Sequence, residues 1–261
     1  MDNSLILENK KNKRKISIAA VIPARYHSTR FPGKPLVHIC GKPMIQYVYE
    51  KACAAHKINE VWVATDDQRI YDSVKAFRGK VLLTSSNHKS GTERVAEAAK
   101  KISADIFINI QGDEPLIQPQ AIDLLAETMT KTPLIMATLK AKISRKQDIE
   151  NSNCVKVVTD KEGFALYFSR SPIPFCRDGC NFSDMYYQHI GIYAYRKKFL
   201  LRIPSLPPSD LEKTEKLEQL RILENGYKIK VIETDYQSYS VDTREDLMRV
   251  ESIMKAKNQS E

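Results

Sequence analysis

The first strong pattern in the chain is an almost unbroken apolar run, Ile16 to Ile22, ending at Pro23. A continuous run of this length predicts a strand buried on both faces, as in a parallel sheet. A polar loop from Pro23 to Lys42 follows, then helical spacing from about Met44 to His56. Val61 to Ala64 reads as a second strand running into Thr65-Asp66-Asp67, Ile70 to Phe77 as helix, and Lys80 to Leu83 as a third strand. After Asn87 to Gly91, a helix rich in Ala and Glu reaches about Lys101. Ile106 to Ile110 is another apolar strand, and it enters Gln111-Gly112-Asp113-Glu114-Pro115. Strand alternating with helix predicts an α/β fold, a mostly parallel sheet with helices on both faces. In such sheets ligands bind beyond the carboxyl ends of the strands.

The rhythm changes near Ile135. Ile135 to Leu139, Val155 to Val158 and Ala165 to Phe168 read as strands with little helix between them, and Arg170 to Ser183 is rich in Pro, Cys and Gly. This stretch, about 135–200, predicts an antiparallel excursion serving as a dimer or lid element. The α/β pattern then returns. Ser209 and Glu212 form a capping box opening a helix that Gly226 can close. Ile229 to Thr234 reads as a strand and Thr243 to about Lys255 as a last helix. The expected organisation is a basic tail over 1–15 and a single domain over 16–257.

Composition changes the picture in three places. The 261 residues, 42% of them apolar, suffice for one large core. No run approaches the roughly 20 apolar residues of a membrane span, and the order of charges and apolar residues near Met1 does not suit a secretory signal. A soluble, cytoplasmic protein with no membrane insertion is expected. The five cysteines lack the paired spacing of a zinc site, so free thiols are expected at Cys40, Cys53, Cys154, Cys176 and Cys180.

The net charge of +9 is local. No Asp or Glu occurs between Glu8 and Glu50, and that gap holds nine basic residues; outside it 32 basic residues balance 32 acidic ones. Five of the nine lie in the tail, while Arg25, Arg30, Lys34 and Lys42 follow the first strand. A nucleic-acid binder more often spreads its basic face over several elements. A concentrated cationic loop suits a compact polyanion, and no nucleic-acid partner is expected.

Three segments could carry chemistry. In the loop Pro23 to Pro35, three cations sit within ten residues and no carboxylate offsets them. Such a loop can wrap a polyphosphate with Arg forks and a Lys point charge; the alternative is an ordinary solvated basic loop. Its glycine spacing matches neither a dinucleotide fingerprint nor a Walker loop. Asp113 and Glu114, at a strand's carboxyl end, can hold Mg²⁺ together with substrate phosphate, or they can form a polar turn. Asp242 or Thr243 caps the last helix, or Asp242 instead faces Asp113 across the site. Arg170, His189, Tyr193, Glu218 and Gln219 are polar residues to which spacing alone gives no role.

IPARYHSTRFPGKPL (Ile22 to Leu36), VATDD (Val63 to Asp67), SGTER (Ser90 to Arg94), NIQGDEP (Asn109 to Pro115), NCVKVV (Asn153 to Val158), ALYFSR (Ala165 to Arg170), HIGIYAYR (His189 to Arg196), LEQLR (Leu217 to Arg221) and VDTREDL (Val241 to Leu247) occur in that order. Together they resemble the 3-deoxy-manno-octulosonate cytidylyltransferase family, over about Ser17 to Lys255. The resemblance implies a Rossmann-like sheet of the nucleotide-diphospho-sugar transferase kind, with an antiparallel dimerisation element and a homodimer. It implies a transferase joining CMP from CTP to 3-deoxy-manno-octulosonate (Kdo) with release of pyrophosphate, in lipopolysaccharide biosynthesis. It further implies Arg25, Arg30 and Lys34 on the triphosphate, and Ser90, Gly91 and Thr92 near the cytosine. Gln111, Arg170, His189, Tyr193, Glu218 and Gln219 would then hold Kdo, with Arg170 at its carboxylate. Asp113 and Asp242 would bind Mg²⁺, and Lys34, Asp113 and Asp242 would be the catalytic set. His27, Phe31 and Arg244 depart from the pattern of many relatives without removing a ligand. A sialic-acid cytidylyltransferase would share the fold and the metal logic; a non-catalytic nucleotide- or nucleic-acid-binding protein is the reading from another class.

Overall fold

The structure, a computed structural model, describes residues 15–27, 31–177 and 185–258. The first apolar run forms β1 (Ile18–Ala24). The loop after it holds a 3-10 turn at Lys34–Leu36 and a two-residue ladder between β2 (His38–Ile39) and β3 (Lys42–Pro43). Then come α1 (Met44–Cys53), β4 (Glu60–Thr65), α2 (Gln68–Ala76), β5 (Val81–Leu83), α3 (Gly91–Lys101) and β6 (Ile106–Asn109). β1 pairs in parallel with β4 on one side and β6 on the other, and β5 extends the sheet beyond β4. The carboxyl ends of these four strands therefore share one edge.

β1 is buried along both faces. Ile18, Ala20 and Ile22 join the core layer under α1, α2 and α4 (Pro119–Lys131), while Ala19 and Val21 face the layer under α3. This two-sided burial explains why the sequence reads there as an unbroken apolar run. Each fully buried side chain of Ile or Phe size contributes ~1.5–3 kcal/mol of transfer free energy, so Ile22, Ile106, Phe107 and Ile108, all 0% exposed, fix the middle of the sheet.

The residues read as an antiparallel excursion divide into two groups. β7 (Met136–Lys142), β10 (Tyr187–Arg196) and, later in the chain, β11 (Lys230–Glu233) enter the main sheet, whose order is β11-β7-β10-β6-β1-β4-β5 among the described residues. β10 runs antiparallel between β7 and β6, so the sheet is mixed at this end. Only β8 (Lys156–Thr159) and β9 (Ala165–Ser169) stand aside as a hairpin, joined to β10 at Gln188↔Lys156. Between β7 and β8 lies the short α5 (Gln147–Glu150). Leu166 and Phe175, on β9 and in the segment beyond it, are exposed.

The Ser209–Glu212 capping box is present, but the single helix expected after it is two. After α6 (Lys197–Leu200), α7 (Asp210–Glu215) stops at Lys216, which takes φ 55° and ψ 45°, and α8 (Glu218–Glu224) restarts beyond it. The break has a local cause. The Glu215 carboxylate accepts from Ser169 Oγ (2.6 Å) and from the Arg170 backbone N–H (2.9 Å), which pulls the end of α7 onto β9. Leu217 turns into the core. β11 (Lys230–Glu233) pairs in parallel with β7, and α9 (Arg244–Asn258) closes the chain's described part.

Cys40, Cys53 and Cys154 are free thiols, as expected. Cys176 is disulfide-bonded, which corrects the reading of five free thiols. The spacing that argues against a zinc set does not argue against a single pair. Its partner, the fourteen N-terminal residues of the basic tail, Arg30 and Cys180 lie outside the described residues. No described helix is long and apolar enough to cross a membrane.

Candidate active site

Three distant segments meet at the carboxyl edge of the sheet. Gly33, at φ 70°, turns the chain into the 3-10 turn that carries Lys34, and Pro35 anchors that turn in the core. Gly112 lets the segment after β6 pass against the end of β1; a Cβ there would stand 3.1 Å from the Pro23 carbonyl oxygen. The Val241 N–H donates to the Asp113 carbonyl oxygen at 2.9 Å, which sets Asp242 beside Asp113. Thr243 and Asp246 cap α9 reciprocally: Thr243 Oγ1 accepts from the Asp246 N–H at 3.2 Å, and Asp246 Oδ2 accepts from the Thr243 N–H at 2.9 Å. The capping role therefore falls to Thr243 and Asp246, and Asp242 turns to the site.

Lys34 Nζ donates to Asp113 Oδ2 at 2.6 Å and to Asp242 Oδ1 at 3.1 Å. Burial lowers the Lys34 ammonium pKa, but the Asp113 and Asp242 carboxylates outweigh it and leave it raised, so the side chain is a fixed cation at neutral pH. Glu114, paired with Asp113 in the sequence reading, does not join this cluster. It accepts from Tyr236 Oη at 2.8 Å and from Ser238 Oγ. Burial first, and the neighbouring Asp113 charge second, push its carboxyl up to about 7. Of the two adjacent carboxylates, one serves the site and the other is tied to the 236–238 loop.

On one side of this cluster lies a cavity of about 270 Å³ lined by Arg25, Lys34, Ser90, Gly91 and Gln111, among others. Ser90 caps α3, its Oγ accepting from the Glu93 N–H at 3.2 Å, so the positive end of that helix opens into the cavity. Thr92 lies two residues further on and faces the neighbouring cavity. Arg94, which sequence reasoning left without a role, also lines the first cavity while only 3% exposed. It donates to Thr84 Oγ1 at 2.5 Å and pairs with Asp66 at 3.2 Å. A charged residue on the buried face of an Ala-rich helix was the available signal, and Asp66 in VATDD was its partner.

On the other side is a cavity of about 340 Å³, where Gln111, Arg170, His189, Tyr193, Glu218 and Gln219 meet. Tyr193 is opposite Asn109 in the sheet register, so the β10 residues before it, His189 included, project beyond the end of β6. Arg170 is braced, with Nε donating to the Glu215 carbonyl at 2.7 Å and Nη1 to the Ser152 carbonyl at 2.9 Å. Glu218 opens to the cavity while protein crowds its other sides; this desolvation raises its carboxyl pKa, partly countered by hydrogen bonds from Thr92 and Ser90. Asn153, Gln188, Lys216 and Ser240 line the same cavity and were not singled out in the sequence. All the expected site residues among those described thus lie around the cluster.

His189 is 7% exposed, and its Nε2 lies 2.9 Å from Thr138 Oγ1. Thr138 Oγ1 also lies 2.8 Å from the Ile192 carbonyl, to which its single proton donates. The imidazole proton is therefore on Nε2, and Nδ1 is left as an acceptor. Burial lowers the imidazole pKa from 6.5 to about 3. The unfolded chain then binds the extra proton between these values, so stability from this group is complete above about pH 6.5 and declines as pH falls toward 3. His189→Gln is expected to remove this dependence. Urea melts at pH 7 and pH 5 should show the native protein losing up to ~1.4 kcal/mol more per pH unit than the variant below about pH 6.5.

Comparisons with known proteins agree with this geometry. A family model described as Cytidylyltransferase matches residues 19–229. Curated 3-deoxy-manno-octulosonate cytidylyltransferases from Geobacter metallireducens and Geobacter sulfurreducens are each 51% identical over 245 residues, covering 90% of this chain and 96% and 98% of theirs. A solved CMP:2-keto-3-deoxy-manno-octonic acid synthetase complexed with CTP superposes with a TM-score of 0.87 at 45% identity, covering 92% of this chain and 99% of that one. With its mixed sheet, its cation loop and its paired aspartates, the chain belongs to the 3-deoxy-manno-octulosonate cytidylyltransferase family.

Proposed function

We propose that this protein activates 3-deoxy-manno-octulosonate: CTP and Kdo give CMP-Kdo and pyrophosphate, in the supply of lipopolysaccharide precursors. The anomeric hydroxyl of Kdo attacks the α-phosphorus in line with the departing pyrophosphate. The observation that carries the reading is the meeting of Lys34, Asp113 and Asp242 between two cavities, one cationic and helix-capped, the other lined by sugar-type hydrogen-bonding groups.

The cationic cavity takes the nucleotide. Arg25 and Lys34 hold the triphosphate, with Arg30 assigned there from the family pattern, and Ser90, Gly91 and Thr92 lie against the cytosine. Lys34 leaves the two carboxylates for the phosphates as the nucleotide enters. It then stabilises charge that builds on the transferring group. In the second cavity Gln111, Tyr193, Glu218 and Gln219 orient the sugar hydroxyls, Arg170 faces the sugar's acid end, and His189 offers Nδ1 as an acceptor.

The residues fit a magnesium ion. Two carboxylates already converge on one cation, Lys34 Nζ, and no described group of three or more His, Cys, Asp or Glu side chains completes a cage. Mg²⁺ is commonly held in this way, by one or two carboxylates with substrate phosphate and water filling the rest. Asp113 and Asp242 would hold it. Bound there, Mg²⁺ supplies charge neutralisation at phosphate oxygens and acidifies a coordinated hydroxyl. The exposed Leu166 and Phe175 beside the β8–β9 hairpin support a homodimer formed through that element.

Pyrophosphate release from CTP, measured with and without Kdo and Mg²⁺, tests the reaction. Release dependent on all three is expected. CMP-sialate formation without CMP-Kdo would transfer the assignment to the other acid sugar.

A further inference from the structure

The junction between α7 and α8 places an unpaired cation in the sugar cavity. Lys216 sits at φ 55°, a backbone region that L side chains rarely adopt and that usually falls to Gly or Asn at a helix end. Both neighbours hold it there. Glu215 is bonded through its carboxylate and its carbonyl to Ser169 and Arg170, and Leu217 is buried. The side chain lines the cavity of about 340 Å³ with Arg170, His189 and Glu218. Strained backbone that the surroundings over-determine is a mark of functional positions.

Lys216 shares this cavity with four carboxylates. Asp113 and Asp242 are engaged with Lys34, Glu114 with Tyr236 and Ser238, and Glu218 with Thr92 and Ser90. Arg170 has Nε and one Nη1 donor committed to backbone carbonyls, which fixes its plane. Lys216 makes no hydrogen bond or ion pair among the described residues. It is the adaptable cation of the cavity, on a flexible stem with three rotatable donors.

We propose that Lys216 is a specificity-determining residue that pairs with the carboxylate of the acidic sugar, with Arg170 as the braced second cation and the left-handed backbone as the device that aims it. This rests on the reaction proposed above. An uncharged sugar of the same shape would leave Lys216 desolvated without a partner, so the lysine selects against it as well as for the acid.

Lys216→Gly is the decisive variant, because glycine adopts φ 55° freely. A purely structural lysine predicts that this change is harmless or stabilising. Pyrophosphate release is measured with Kdo varied at saturating CTP, then with CTP varied at saturating Kdo, alongside Tm. The expected result for Lys216→Gly and Lys216→Met is a KM for Kdo raised ~10–100-fold, the range of a lost charge-assisted contact. The KM for CTP should stay within about twofold of the native value, as Lys216 lines the sugar cavity and not the adjoining nucleotide cavity. Tm of the Gly variant should equal or exceed the native value, and Lys216→Arg should recover most of the loss. An unchanged KM for Kdo in both variants overturns the proposal, and so does an equal rise in both KM values with a lowered Tm. A native protein that releases no pyrophosphate with Kdo overturns it together with the reaction beneath it; a working native protein with unaffected variants overturns it alone.

Discussion

Asp113→Ala should lower kcat for pyrophosphate release by at least ~100-fold, the scale on which a single group aimed at developing charge is worth. Two losses coincide in this variant. One of the two carboxylates that would hold Mg²⁺ is gone, and Lys34 loses its 2.6 Å partner. Without Asp113 the Lys34 ammonium is held by Asp242 alone at 3.1 Å, in a setting where burial already lowers its pKa. The same reasoning gives Asp242→Ala a comparable loss. The check is a Mg²⁺ titration of both variants at saturating CTP and Kdo. A shortfall confined to metal affinity would be restored by high Mg²⁺; native turnover at limiting Mg²⁺ in either variant would remove that residue from the metal site. Chelation of divalent ions from the native protein should abolish release, and restored Mg²⁺ should return it. The fold should persist throughout, since the loop keeps the Val241 N–H to Asp113 carbonyl bond, which needs no side chain.

Lys34→Ala should reduce kcat by ~100–1,000-fold while the KM for CTP rises much less. Arg25 remains at the same cavity, and in the proposed reading it would still hold the triphosphate in the ground state. Lys34 differs in standing against both aspartates, where the reacting phosphorus would lie. Lys34→Arg should restore little, because the site receives a compact ammonium within 3.1 Å of two carboxylates and a planar guanidinium does not match that geometry. Steady-state kinetics with CTP varied check this result, and an unchanged kcat would contradict the role. A fall in CTP binding with kcat preserved would make Lys34 a general binding residue.

The order of strands and helices in the first half was legible because its central strands, β1 and β6, are buried on both faces and the helices on one. Ile16 to Ile22 and Ile106 to Ile110 could hardly be anything else in a chain with this alternation, and β1 and β6 are indeed neighbours. The second half was harder. β10 carries His189, Tyr193 and Tyr195, and a strand with polar and aromatic residues does not announce that it lies between β7 and β6. The break at Lys216 was illegible for a related reason. The capping box and Gly226 fit one continuous helix, and the competing force, the pull of Ser169 and Arg170 on Glu215, comes from 45 residues away or more.

The sequence by itself determined the parallel half of the sheet, the isolation of positive charge after β1, and, through its motifs, the family. These follow from local periodicity and from composition, which act over a few residues at a time. Tertiary structure alone decided which carboxylates act together. Glu114, adjacent to Asp113 in the chain, is drawn to Tyr236 and Ser238, while Asp242, distant in the chain, is brought to Asp113 by the Val241 backbone bond. It also decided that Thr243 and Asp246, and not Asp242, satisfy the end of α9. The reason is physical. Buried and half-buried charges settle where their partners are, and those partners are supplied by the packing of elements far apart in the chain.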